Sequence, residues 1–104
     1  MTSITQNALT SAATCFLKGA EALDKAGTVR IVGQKQYGAN PPGHEDFQAA
    51  IRLYNGAAEA WREAGLAYAA EDYTAAEKHN KRAVGKWNKA ERHYKKGYRT
   101  ACGR

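Results

Sequence analysis

Two matched rows of residues, repeating in sevens, constrain this chain more than any other feature. Phe47, Tyr54, Trp61 and Tyr68 occupy one heptad position, and Ala50, Ala57 and Ala64 follow the first three of them by three residues. Tyr73, Asn80, Trp87 and Tyr94 repeat the first row, and Ala76, Ala83, Ala90 and Gly97 repeat the second. Apolar residues alternating at three and four mark helices that each bury one stripe. Large side chains alternate with small ones, so a ring on one helix can sit over an alanine on the other. The pattern predicts an antiparallel helical hairpin, helix 2 over about residues 45–70 and helix 3 over about 72–99.

A further helix precedes it, predicted over about residues 3–26. Ser3 and Gln6 fit a capping box, and Gly27 fits a C-terminal stop. Leu9, Ala13, Phe16, Ala20 and Leu23 supply a packing stripe, which leaves Cys15 off it and at least half exposed. Residues 27–44 read as a loop. Thr28–Val32 is β-branched and suits an extended segment, while Gly33, Gly38 and Asn40-Pro41-Pro42-Gly43 punctuate the remainder. Such a connection of about 17 residues exceeds the ~2–8 usual between bundle helices. It serves either as a crossover or as a binding loop with Arg30, Lys35 and Tyr37 as contacts. The expected fold is therefore all-α: one domain, a three-helix bundle with a long loop between helices 1 and 2 and a long hairpin of helices 2 and 3. Helix 2 also carries apolar flanks, Ile51, Ala58 and Gly65 on one side and Leu53, Ala60 and Ala67 on the other, which places it centrally.

The turn is the least determined joint. Tyr68 to Tyr73 breaks heptad phase, and Asp72 can cap a new helix. Yet Ala69-Ala70-Glu71 contains no Gly or Pro, so an unbroken helix through residue 99 also suits local propensity. That arrangement would expose both seams unless the chain oligomerised, and a dimer stays open.

Around this turn, Ala60-Trp61, Gly65, Tyr68, Asp72-Tyr73, Ala76 and Ala83 resemble a tetratricopeptide repeat over residues 58–83. The turn lacks the family's Gly, Asn80 stands where an aromatic is usual, and no Pro closes the unit. The resemblance implies a protein-interaction scaffold that cradles a peptide.

Charge is distributed unevenly. Of the net +6, residues 1–73 contribute six basic and eight acidic side chains, and residues 74–104 ten basic and two acidic. Lys78, Lys81, Arg82, Lys89, Arg92, Lys95, Lys96 and Arg99 all fall on the heptad positions opposite the seam of helix 3. A one-sided basic back calls for an acidic partner. The contact face predicted from it is Lys78, Arg82, Lys89, Arg92, Lys96 and Arg99. An acidic protein surface is the first expectation, met by an adaptor or inhibitor, and nucleic acid held through its phosphates is the alternative.

Catalytic and cofactor signatures are not found. The Gly33 and Gly38 pair lacks a phosphate-loop fingerprint. His44-Glu45-Asp46 reads as helix capping and has no second ligand pair for a metal. His79 and His93 share a heptad position but lie roughly 21 Å apart along the helix. Neither Cys15 nor Cys102 has an activating His-Asp pattern, and whether they pair is open. The expectation is a non-enzymatic protein with no cofactor and no metal. The chain has no run long enough to span a membrane and no basic-then-apolar block in Met1–Asn7, which points to the cytoplasm. Aromatic residues are assigned to the seams, with Tyr37 and Tyr98 as the exceptions.

Overall fold

A computed structural model describes residues 4–37 and 43–102, with the side chains of 34–37 outside that description. It is an all-α three-helix bundle: α1 (Gln6–Tyr37), α2 (His44–Ala69) and α3 (Tyr73–Ala101). The bundle is long and thin, 58 × 20 × 15 Å across its Cα atoms. As expected, α2 is central. Both α1 and α3 pack along it, while α1 and α3 barely meet. Among the described residues, no helix is long and apolar enough to cross a membrane.

The α2–α3 seam follows the heptad rows. Ala76, Ala83, Ala90 and Gly97 of α3 are buried, and so are Phe47, Ala50, Tyr54, Ala57, Trp61 and Ala64 of α2. The rings meet edge to face: Tyr54 on Trp87 at 5.0 Å and 75°, Trp61 on Trp87 at 5.7 Å and 60°, Phe47 on Tyr94 at 6.1 Å and 67°. Such pairs add about 0.5–1.5 kcal/mol each beyond the area they bury. Asn80, the polar member of the aromatic row, is half-buried and accepts the Trp61 indole N–H at 3.1 Å.

The chain reverses between α2 and α3, so the hairpin replaces the unbroken helix. Glu71 N–H donates to Tyr68 O and Asp72 N–H to Ala67 O, both at 2.9 Å, which satisfies the last carbonyls of α2. This closure needs one left-handed residue, and Glu71 supplies it at φ 57 where Gly is usual. Asp72 then caps α3, accepting the Ala75 N–H at 3.2 Å.

Helix α1 departs from expectation in two ways. First, it does not stop at Gly27 but runs to Tyr37, so most of the expected loop 27–44 is helix and Arg30, Lys35 and Tyr37 are helical residues. Thr28–Val32 is not extended. Tertiary packing overrides its β-branched composition: Val29 is fully buried among Ala26, Phe47 and Tyr54, and Gly33 packs on the Phe47 ring. The Thr28 hydroxyl donates back to Asp24 O at 3.0 Å. The expected cap residue Ser3 lies outside the described residues. Thr5 does the capping, its hydroxyl accepting the Ala8 N–H at 3.2 Å.

Second, the packing stripe is displaced by one residue. Leu9, Ala13, Phe16, Ala20 and Leu23 are all exposed, and the buried row is Ala8, Ala12, Cys15, Gly19, Ala22, Ala26, Val29 and Gly33. Cys15 is accordingly buried, not exposed, and no disulfide joins it to the exposed Cys102. The cause is steric. A Cβ on Gly19 would stand 3.3 Å from the Ala58 carbonyl, so α1 approaches α2 closely and only small residues fit between them. Of the expected stripe, Phe16 still reaches α2, its ring over Gly65 where a Cβ would come within 2.7 Å.

At the far end of the bundle the start of α2 meets the end of α3 with the Gly43 and Gly97 backbones in close approach. Gly43 has φ 86, and a Cβ there would lie 2.5 Å from the Gly97 carbonyl oxygen. The two left-handed residues therefore have opposite expectations. Glu71→Gly should raise stability by about 1 kcal/mol, since it removes the left-handed penalty. Gly43→Ala should lower it by roughly 1–3 kcal/mol, since it adds strain and a backbone collision. Urea unfolding followed by circular dichroism measures both. Equal midpoints for the two variants and the parent would contradict this account.

Candidate functional site

Helix α3 buries one narrow row, and most of its remaining circumference is left to solvent. Lys78, Arg82, Lys89, Arg92, Lys96 and Arg99 are all exposed, as the heptad phase predicts. From Lys78 to Arg99 they span about 32 Å of helix. Arg82 is tied to α2, its guanidinium donating to Glu63 Oε2 at 2.6 Å. Arg99 Nε donates to Lys95 O at 3.4 Å. Among the described residues, no carboxylate lies within ion-pairing distance of Lys78, Lys89, Arg92 or Lys96. Apart from the seven-residue step between Arg82 and Lys89, neighbours along this face sit three or four residues apart and repel one another, typically by about 0.2–0.5 kcal/mol per pair.

The two histidines face the α2 edge and not this basic back. His93 Nδ1 is 2.9 Å from Asp46 Oδ1, tying the end of α3 to the first turn of α2. His79 Nδ1 lies 3.2 Å from Glu63 Oε2, the oxygen that accepts from Arg82, without making a hydrogen bond to it. Among the described residues, no three His, Cys, Asp or Glu side chains come together as a metal site would need.

A groove adjoins the basic face. Because α1 and α3 barely meet, a cleft of about 540 Å³ opens between them, with α2 beneath. Tyr54 lies at its base, Tyr94 and Tyr98 line the α3 side, and Lys25, Lys95 and Arg99 supply cations from both walls. Glu91 is the one carboxylate on the lining. Burial pushes the Tyr54 hydroxyl up to about 12, and the negative charge of Glu91 and the neighbouring Tyr94 push the same way. The groove presents an apolar, tyrosine-rich trough with a positive margin.

The heptad phase identifies Arg99 and sets Tyr98 apart, but it does not reveal the groove. Lys25, Tyr54 and Lys95 reach it from three helices, and only the order of packing brings them together. Of the other expected contacts, Arg30 is exposed on α1, and the side chains of Lys35 and Tyr37 lie outside the described residues. Cys15 is enclosed. Burial pushes its thiol up, against a smaller lowering by Lys18, which makes it a poor nucleophile at neutral pH.

The Tyr54 environment is directly measurable. The native state keeps the proton to about 12, whereas the unfolded chain loses it near 10, so stability should fall as pH rises between those values. The loss should be on the order of 2 kcal/mol, and Tyr54→Phe should remove most of that dependence. Phenolate absorbance should show one late-titrating tyrosine fewer in the variant than in the parent, in which burial also raises Tyr68. A parent whose tyrosines all ionise together near 10 would place Tyr54 at the surface.

No protein-family model, curated protein or solved structure matches this chain.

Proposed function

We propose that this chain is a non-enzymatic, cytoplasmic protein-binding module, an adaptor or inhibitor, that docks an acidic protein surface. The contact face is Lys78, Arg82, Lys89, Arg92, Lys96 and Arg99. One observation carries the reading: a helix-long row of exposed cations runs into an apolar groove lined by Tyr54, Tyr94 and Tyr98. An acidic amphipathic segment matches both, with apolar side chains in the trough and carboxylates on the flanking lysines and arginines. The tetratricopeptide-like pattern of residues 58–83 supports the same class of activity. Four unpartnered like charges also cost the native helix some stability, which a docked anionic surface would offset.

Nucleic acid is the second reading, favoured by one feature. Tyr98 is exposed beside Lys95 and Arg99, an arrangement that suits a base stacked next to held phosphates. Phosphate binding predicts an affinity that falls with the logarithm of salt, with a slope of about −0.9 per phosphate neutralised.

A triple variant separates these readings. Lys89→Glu, Arg92→Glu and Lys96→Glu change exposed positions, so each should move stability by under ~0.5 kcal/mol. Pull-downs from the native host, with and without nuclease, should recover a protein partner with the parent and lose it with the triple variant. Recovery abolished by nuclease, together with a gel shift on random-sequence DNA or RNA, would move the function to nucleic acid. Identical recovery by parent and variant would reduce the basic row to solvated surface.

A further inference from the structure

Helix α1 has a second apolar face that the bundle does not use. Leu9, Phe16, Leu17, Leu23 and Ile31 are between 42% and 66% exposed. They are not scattered. Leu9, Ala13, Phe16, Ala20, Leu23 and Gly27 follow one another at spacings of four and three along one side of the helix, with Leu17 and Ile31 beside them. A groove of about 400 Å³ extends the face onto α2, between Phe16, Ala20 and Leu23 on one wall and Asn55, Ala58, Glu59 and Arg62 on the other. Contiguous apolar surface of this kind marks an interface.

We propose that this outer face of α1 docks the same face of a second copy of the chain, the two α1 helices running antiparallel about a two-fold axis beside residue 18. The order of large and small residues is what selects this occupant. In that register Phe16 meets Ala20 of the second copy, Leu23 meets Ala13 and Leu9 meets Gly27. Every bulky side chain faces a small one, and each contact occurs twice, as a two-fold interface demands. A parallel pair would set Leu9 on Leu9 and Phe16 on Phe16, with empty layers between them. The antiparallel pairing is the large-over-small logic that joins α2 to α3, applied between copies.

Charge favours the same occupant. Helix α3 carries nine basic and two acidic residues, whereas α1 carries four basic and two acidic ones, with Lys18 directed at the Trp61 ring and Lys25 at the tyrosine groove. Pairing through α1 places the two α3 helices on opposite outer sides of the dimer. They are then separated by more than the ~10 Å over which charges act at ordinary salt. The α1 row Leu9, Ala13, Phe16, Ala20, Leu23 and Gly27 that makes the paired contacts is apolar, so added salt should not weaken the pairing. A lipid surface is a poorer match, because among the described residues lining the groove Arg62 is the one cation and Glu59 stands beside it, whereas an interfacial helix is rich in Lys and Arg.

Sedimentation equilibrium tests the proposal. The parent should show twice the chain mass of 11.3 kDa, at low and at high salt. The double variant Leu9→Glu, Leu23→Glu should sediment as a monomer with an unchanged helical circular dichroism spectrum. Should that variant unfold, Ala20→Arg provides the second arm: Ala20 is exposed in one copy, so the monomer keeps its fold while the Phe16 contact of the dimer is lost. The antiparallel register has its own readout in a Cys102→Ser background. A mixture of Ala13→Cys and Leu23→Cys chains should cross-link through a short thiol reagent far more efficiently than either chain alone. A parent that stays monomeric up to millimolar concentration overturns the proposal, as does a monomer that instead binds vesicles of anionic lipid. A dimer left intact by both Leu9→Glu, Leu23→Glu and Ala20→Arg overturns it as well.

Discussion

Everything in this bundle depends on how closely its helices approach around the rings of α2. Phe47, Tyr54 and Trp61 project from the central helix into the space between α1 and α3. The helices come close because the residues that face these rings are largely small on α1, Cys15, Gly19, Ala22 and Ala26, while α3 sets Ala83 and Ala90 beside its own rings Trp87 and Tyr94. Rings on α2 set against small residues on both neighbours are a single steric condition. It sets the phase of all three helices and keeps α1 from α3, and the tyrosine groove results from that separation.

The same condition explains which parts of the fold are legible in the sequence. In α2 the large residues are themselves buried, and in α3 the buried Ala76, Ala83, Ala90 and Gly97 keep phase with the half-buried Trp87 and Tyr94, so apolar periodicity and packing phase coincide and the hairpin with its central helix can be read directly. In α1 they diverge. Its conspicuous stripe of Leu9, Phe16 and Leu23 is exposed, and the buried row is the unobtrusive one of alanine, glycine and Cys15. Periodicity reports that a helix has an apolar side, but where two sides are apolar, sterics at the neighbour decides between them. The length of α1 is hidden for a related reason. Gly27 and Thr28–Val32 discourage a helix locally, and only the burial of Val29 against α2 shows why the helix continues. At the turn, Glu71 takes a conformation that its residue type does not announce.

The candidate site divides along the same line. The exposed cations of α3 belong to one helix and one phase, so their common face is readable from spacing. The groove is assembled from three helices, and the pairs His93–Asp46 and Arg82–Glu63 join residues distant in sequence. Such arrangements arise from tertiary structure and leave no local trace. Charge and tyrosines are thereby set toward α3, and exposed aliphatic side chains on the outside of α1.

That α1 rests on α2 and hardly on α3 bears on how the molecule folds. The α2–α3 hairpin closes through a tight turn, and contacts between neighbouring helices joined this way form early and at low entropic cost. Helix α1 adds afterwards as a separate layer whose attachment is confined to one side. Its amides should then exchange with solvent through an opening that leaves the hairpin intact, a smaller event than global unfolding. In that opened form the hairpin uncovers the rings that α1 normally shields, and α1 carries two unburied apolar faces. The chain passes through its stickiest state each time α1 lifts away, so the strength of the α1–α2 contact governs its tendency to associate wrongly as well as its stability.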